Sequence, residues 1–233
     1  MALPIVNTPT FELVLPSTGK TIKYRPFLIK EQQMMLIARE SGDASSLLAT
    51  LYSVIDACTF GKLNVESLSK FDVEYIFVKL RSKSVGEHVE LNVVCDNCDA
   101  ENPYTLNLDD IKVTKSENHS NKIMITSDMG IIMRYPTYDE ISNLYENNTP
   151  ETVFDLIISC IDQIFDTDSV TLSKDVTKEE LTAWLDGLES RLYDKIETFF
   201  RTQPRVTTDI SFKCKKCETE NHYVIEGIDD FFE

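Results

Sequence analysis

Four cysteines stand as two C-x-x-C pairs, Cys95 with Cys98 and Cys214 with Cys217, more than a hundred residues apart. A longer frame repeats around them. Cys95-Asp96-Asn97-Cys98-Asp99-Ala100-Glu101-Asn102-Pro103-Tyr104 is echoed by Cys214-Lys215-Lys216-Cys217-Glu218-Thr219-Glu220-Asn221-His222-Tyr223, giving C-x-x-C-x-x-E-N-x-Y twice. A tight hairpin turn carries both sulfurs of such a pair on one side. Two turns facing each other supply the four thiolates of a tetrahedral zinc site, one zinc per chain. With every ligand drawn from the protein, no position is open to substrate or water, so this chemistry is structural. Structural zinc contributes about 10–16 kcal/mol of apparent binding energy, comparable to the net stability of a domain. Lys213, Lys215 and Lys216 favour thiolate at the second pair. The alternatives are metal-free thiol pairs or a redox dithiol. A redox motif belongs at a strand-to-helix turn, whereas both pairs here lie between strands.

The remaining residues nominate no catalytic centre. The three histidines, His88, His119 and His222, fall on a strand start, a loop and the second turn. His222 is a spare ligand at most, because its counterpart in the first frame is Pro103 and four cysteines suffice. No P-loop, G-x-S-x-G, G-x-G-x-x-G or H-E-x-x-H occurs. Cys58 and Cys160 fall on apolar helix faces and read as core thiols, and Trp184 as core or interface. The acidic tail holds Ile228, Phe231 and Phe232, which either fold back or form an apolar hook for a partner protein.

The elements that must position the cysteines follow from periodicity. Residues 10–15 and 21–25 form a hairpin around Pro16-Ser17-Thr18-Gly19, and Pro26 ends it. Helices are predicted over 30–41 and 44–58, and a third, capped by Asp72, to residue 83. Strands over 89–94 and 105–108 flank the first cysteine pair. Short strands over 111–113, 122–125 and 129–135 lead to Pro136 and a helix over 138–145. Pro150 opens a helix whose apolar face runs through Val153, Phe154, Ile157, Ile158, Ile161, Ile164 and Phe165. Thr177 to Glu180 is a capping box. Leu188, Leu192, Ile196, Phe199 and Phe200 continue the helical pattern to 202, where Pro204 stops it. Strands over 206–212 and 223–225 flank the second pair.

Strand, proline, helices, strand, C-x-x-C, strand thus occurs twice. The expected fold is α+β: two duplicated α/β-hairpin halves, 1–110 and 111–233, packed as one unit and joined by a zinc-ribbon-like clasp of four cysteines.

At 233 residues, 42% hydrophobic and 27% charged, the chain can bury a real core. Its 23 basic against 39 acidic residues give a net charge of -16, which argues against general affinity for nucleic-acid backbone. No apolar run approaches the roughly 20 residues that span a bilayer. The first residues lack the basic-then-apolar pattern of a signal peptide. A cytoplasmic location is expected, where paired thiols stay reduced and read as metal ligands.

Gly19-Lys20-Thr21-Ile22-Lys23-Tyr24-Arg25-Pro26-Phe27-Leu28-Ile29-Lys30-Glu31-Gln32, followed by Ala38-Arg39-Glu40-Ser41, resembles the baseplate hub assembly proteins of T-even-type contractile-tailed bacteriophages. The resemblance implies a non-enzymatic role in forming the central hub of the tail baseplate. Its partners would be other hub or tail proteins, not nucleic acid or membrane, and its location the host cytoplasm during assembly or the virion. The competing class is a zinc-ribbon nucleic-acid or transcription accessory protein, favoured by the lysines of the second turn. A thiol-disulfide enzyme would require an accessible pair that turns over.

Overall fold

A computed structural model of the chain describes residues 7–227. In chain order the elements are β1 (Phe11–Val14), β2 (Thr21–Tyr24), α1 (Ile29–Glu40), α2 (Ala44–Cys58), α3 (Lys70–Ser84), β3 (His88–Val94), β4 (Glu101–Asn107) and β5 (Lys112–Thr114). There follow β6 (Lys122–Met124), β7 (Gly130–Met133), α4 (Tyr138–Glu146), α5 (Pro150–Ser159), β8 (Ile161–Phe165), β9 (Val170–Leu172), α6 (Lys178–Asp186), α7 (Arg191–Thr202), β10 (Arg205–Lys213) and β11 (Glu220–Glu226). The fold is mixed α+β with small antiparallel sheets.

The chain divides into two compact units, and they are not the sequential halves 1–110 and 111–233. Among the described residues, one unit takes those up to Thr114 together with those from Arg205, and the other is Lys115–Pro204. The reason is strand pairing: β10 pairs with β11 on one side and β5 on the other, with Arg205 opposite Thr114. The chain therefore leaves the first unit and returns to it through neighbouring antiparallel strands.

In the first unit, β1 and β2 close around a turn in which Leu15 N–H donates to the Lys20 carbonyl and Gly19 takes φ 69°, a left-handed conformation that costs glycine little. Asp43 caps α2 by accepting from the N–H groups of Ser45 and Ser46. Ser69, not Asp72, is the cap of α3. Asp72 sits one turn in, fully buried, and accepts from the Ser17 N–H (3.1 Å) and hydroxyl of the hairpin turn. Val54, Ile55, Val73, Ile76, Val78, Leu80, Leu108, Ile111, Val206 and Ile210 are essentially without solvent contact. Each such side chain contributes about 1.5–3 kcal/mol on leaving water.

The second unit wraps α4 to α7 around the sheet β6-β7-β8-β9, with Ile131, Met133, Ile157, Cys160, Ile161, Leu192, Ile196 and Phe199 at its centre. The helix expected to run from Pro150 through Phe165 stops at Ser159. Ile161, Ile164 and Phe165 lie on a strand, β8, paired on both edges.

One local arrangement occurs in both units. Arg25 N–H donates to the Cys58 carbonyl (2.9 Å) and its guanidinium meets Glu31 (3.0 Å), whose carboxylate also accepts from the Leu28 N–H (2.7 Å). Arg134 N–H donates to the Cys160 carbonyl (2.7 Å) and its guanidinium meets Glu140 (2.6 Å), which accepts from the Thr137 N–H (2.9 Å). Each time, a carboxylate in the first turn of a helix holds the arginine that follows a strand, and that arginine's backbone N–H meets the carbonyl at the end of the next helix.

Candidate metal centre

β3 hands over to β4, and β10 to β11, through turns of the same construction. Cys95 N–H donates to the Ala100 carbonyl (3.0 Å) and Asp99 N–H to the Cys95 carbonyl (2.9 Å). In the second turn the equivalents are Cys214 to Thr219 (2.9 Å) and Glu218 to Cys214 (3.0 Å). Asp99 (φ 54°) and Glu218 (φ 59°) take the left-handed conformation at matching places, which is uncommon for residues other than glycine. Among the described residues other than glycine, only Phe60 joins them.

The two turns face each other within the first unit. Cys95 Sγ lies 3.6 Å from Cys217 Sγ, Cys98 Sγ lies 3.7 Å from Cys214 Sγ, and all four sulfurs fall within 4.8 Å of one another. These separations are too long for disulfides, and all six cysteines are free. A tetrahedral site with metal–sulfur bonds of about 2.3 Å has sulfurs about 3.8 Å apart, so the cluster fits a zinc ion. Cys95 and Cys214 are buried, while Cys98 and Cys217 are half-buried.

The asparagines of the repeated frame complete the arrangement crosswise. Asn221 Oδ1 accepts the Asp96 N–H (3.0 Å), and its Nδ2 donates to the Thr219 carbonyl (2.9 Å) and faces Cys95 Sγ (3.5 Å). Asn102 Oδ1 accepts the Lys215 N–H (2.9 Å), and its Nδ2 donates to the Ala100 carbonyl (2.8 Å) and faces Cys214 Sγ (3.7 Å). The Tyr223 hydroxyl is within reach of the Val94 carbonyl and of Asp96 Oδ1 (2.6 Å), and that carboxylate pushes the phenol up to about 12. The sequence frame carried the signal, since Asn and Tyr recur in both copies; periodicity alone gives them no role.

Hydrogen bonding with the Thr219 hydroxyl (3.3 Å) and backbone holds the Cys217 thiol down at about 5. Backbone N–H groups of Cys217 and Lys216 lower Cys214. At Cys98 the Ala100 backbone works the same way, but hydrogen bonding with Cys217, Cys214 and Cys95 outweighs it and pushes the thiol up to about 12. Thiols this close titrate as a group, and a divalent cation bound among them would allow all four to ionise. The second turn gains its thiolate character from these hydrogen bonds. Lys213 is engaged with Glu218 instead (3.4 Å).

Other residues singled out by sequence lie elsewhere. His222 is exposed, faces Ser211 (3.1 Å) and Asp209 (3.9 Å), and does not join the sulfur cluster. Cys58 and Cys160 are buried core thiols, raised to about 11 and about 12 by burial. Trp184 packs half-buried on the core of the second unit. Ile228, Phe231 and Phe232 lie outside the described residues. A groove of about 480 Å³ in the second unit is lined by Leu144, Leu156, Ile161 and Leu181 and by the charged Glu140, Asp155, Lys174 and Lys178, of which Lys178 and Asp155 pair with each other (2.7 Å). No helix among the described residues is long and apolar enough to cross a membrane.

Similarity to known proteins runs along most of the chain. The chain is 24% identical over 215 residues to the "Baseplate hub assembly protein gp26" of Enterobacteria phage T4, covering 92% of this chain and 94% of that protein. No solved structure matches. The sequence model described as "T4 bacteriophage base plate protein" matches residues 8–233, and this chain belongs to that family.

Proposed function

We propose that this protein assists, or forms part of, the central hub of the phage tail baseplate through protein–protein contacts, without enzymatic chemistry and with one structural zinc per chain held by Cys95, Cys98, Cys214 and Cys217. The observation that carries the role is the similarity, over 92% of this chain, to a hub assembly protein of phage T4. Three features support it. The sulfur cluster leaves no open ligand position once it holds a metal. The charge of -16 suits protein partners better than nucleic acid. Helix α1 leaves Ile29, Leu36 and Ile37 more than half exposed, which fits a molecule that works by contact.

Its partners in this reading are other baseplate hub or tail proteins. It acts in the host cytoplasm during assembly, with the finished virion as its other location. Ile228, Phe231 and Phe232 provide an apolar hook for one of those partners. The internal order of elements reflects a duplication, supported by the paired cysteine turns and by the repeated arginine–glutamate arrangement.

A stop codon placed in this gene of the phage tests the role. Infected cells should accumulate tail parts without complete hubs, and the purified protein should capture hub subunits of the same phage. Normal baseplates without the protein would overturn the proposal. Binding to DNA or RNA that weakens steeply with salt would instead support the nucleic-acid reading.

A further inference from the structure

Among the residues that the frame repeats beyond its cysteines is a buried one that zinc ligation does not require, the asparagine four places after the second cysteine. Asn102 and Asn221 are 2% and 5% exposed, so their amides must find partners inside the protein. Each finds three. The oxygen accepts a backbone N–H from the residue following the first cysteine of the opposite turn: Asp96 for Asn221, Lys215 for Asn102. One nitrogen proton goes to a carbonyl of its own turn, and the nitrogen also faces the buried sulfur of the opposite turn. The amide orientation follows from these partners, since a backbone N–H needs the oxygen and a carbonyl needs the nitrogen.

We propose that Asn102 and Asn221 are the positioning residues of the metal centre, a pair of reciprocal clamps that register the two cysteine turns and donate N–H groups to the two buried thiolates. This rests on the four-thiolate zinc reading above. The clamps act crosswise, so each turn is completed by the other. Four thiolates around zinc carry a net charge of -2, and N–H donors to ligating sulfur offset part of it where burial removes water from Cys95 and Cys214. Glutamine is one carbon too long to keep all three contacts. Aspartate keeps the oxygen for the backbone N–H but turns a second oxygen toward a carbonyl and a thiolate. That asymmetry separates registering the turns from donating to sulfur.

The test uses full-length protein carrying Asn102→Asp, Asn221→Asp or both, loaded with zinc or cobalt(II). Chelator competition should show zinc affinity lower by about 10–100-fold for each single variant, the usual cost of losing an outer partner of a ligand. The sulfur-to-cobalt charge-transfer bands should move to longer wavelength as the thiolates lose donors, a change that a purely structural cap would not produce. Affinity and spectrum both unchanged would overturn the proposal. For a variant that does not fold, the wild-type protein loaded with cadmium-113 decides. The side-chain amide protons of Asn102 and Asn221 should show scalar coupling to the metal through sulfur, and absence of coupling overturns the clamp. Wild-type protein that takes up neither zinc nor cobalt would instead refute the zinc reading itself.

Discussion

Glu140 offers the most direct quantitative test of how the second unit is held. Its carboxylate meets both Nη atoms of Arg134 (2.6 and 2.9 Å) and accepts the Thr137 N–H (2.9 Å), so one side chain closes a capping box and a two-pronged ion pair. Burial alone pushes this carboxyl up, but the Arg134 guanidinium and the Thr137 N–H overcome it and hold it near 2, against an ordinary value of 4.5. A folded-state value below the unfolded one stabilises the fold above pH 4.5, and that stability is lost as pH falls toward 2. The gap corresponds to about 3 kcal/mol. Trp184 is the single tryptophan of the chain and packs on this unit's core, so its fluorescence during urea unfolding follows this unit. Glu140→Gln keeps a carbonyl for the Thr137 N–H but loses the charge opposite Arg134. It should cost about 2–3 kcal/mol at pH 7 and flatten the stability profile between pH 5 and pH 2 by the same amount. A variant whose profile runs parallel to the wild type across that window would refute the reasoning.

Three further outcomes are expected. Gly130→Ala should destabilise the second unit by about 2–3 kcal/mol in Trp184-monitored melting, because an added Cβ would sit 2.5 Å from the Phe165 ring and 2.7 Å from the Ile123 carbonyl oxygen. Elemental analysis of purified protein should give about one zinc per chain, and Cys95→Ser or Cys214→Ser should abolish it and lower the melting temperature of the first unit; metal-free, folded, reduced wild type would count against the site. Removing residues 228–233 should weaken capture of a hub subunit while leaving the melting temperature unchanged, and a large thermal loss would show that the tail folds back instead.

The local chemistry of the chain was legible in its sequence where one residue decides the outcome. The cysteine pairs, the Gly19 turn and the capping box at Thr177 could be read directly because each acts over a few residues. The failures share a cause. Ile161, Ile164 and Phe165 continue a helical spacing from Val153, yet they form β8 because β7 and β9 supply partners on both edges, which no local pattern reveals. Asp72 looks like a cap, but Ser69 takes that place and frees Asp72 to receive the Ser17 turn, 55 residues away. β4 begins at Glu101, ahead of Pro103, because Pro103 lies in a two-stranded sheet where a missing N–H is tolerated. The division into units escaped the sequence for the same reason, since only the pairing of β10 with β5 returns the last strands to the first unit.

That return has a consequence for biosynthesis. Residues Lys115–Pro204 form a contiguous compact unit, which can mature while the chain is still being made. The first unit cannot. Its central strand, β10, and half of its sulfur cluster are translated only after the second unit is complete. Until then Cys95 and Cys98 wait as an unfilled dithiol, and closure must span the 122 positions that separate Cys95 from Cys217. Loop closure over such a length costs only slowly more as the loop grows, and prior folding of the intervening segment shortens the effective search. A metal held by the four sulfurs would therefore arrive late, as a checkpoint on completed synthesis: a chain truncated before Arg205 lacks Cys214 and Cys217.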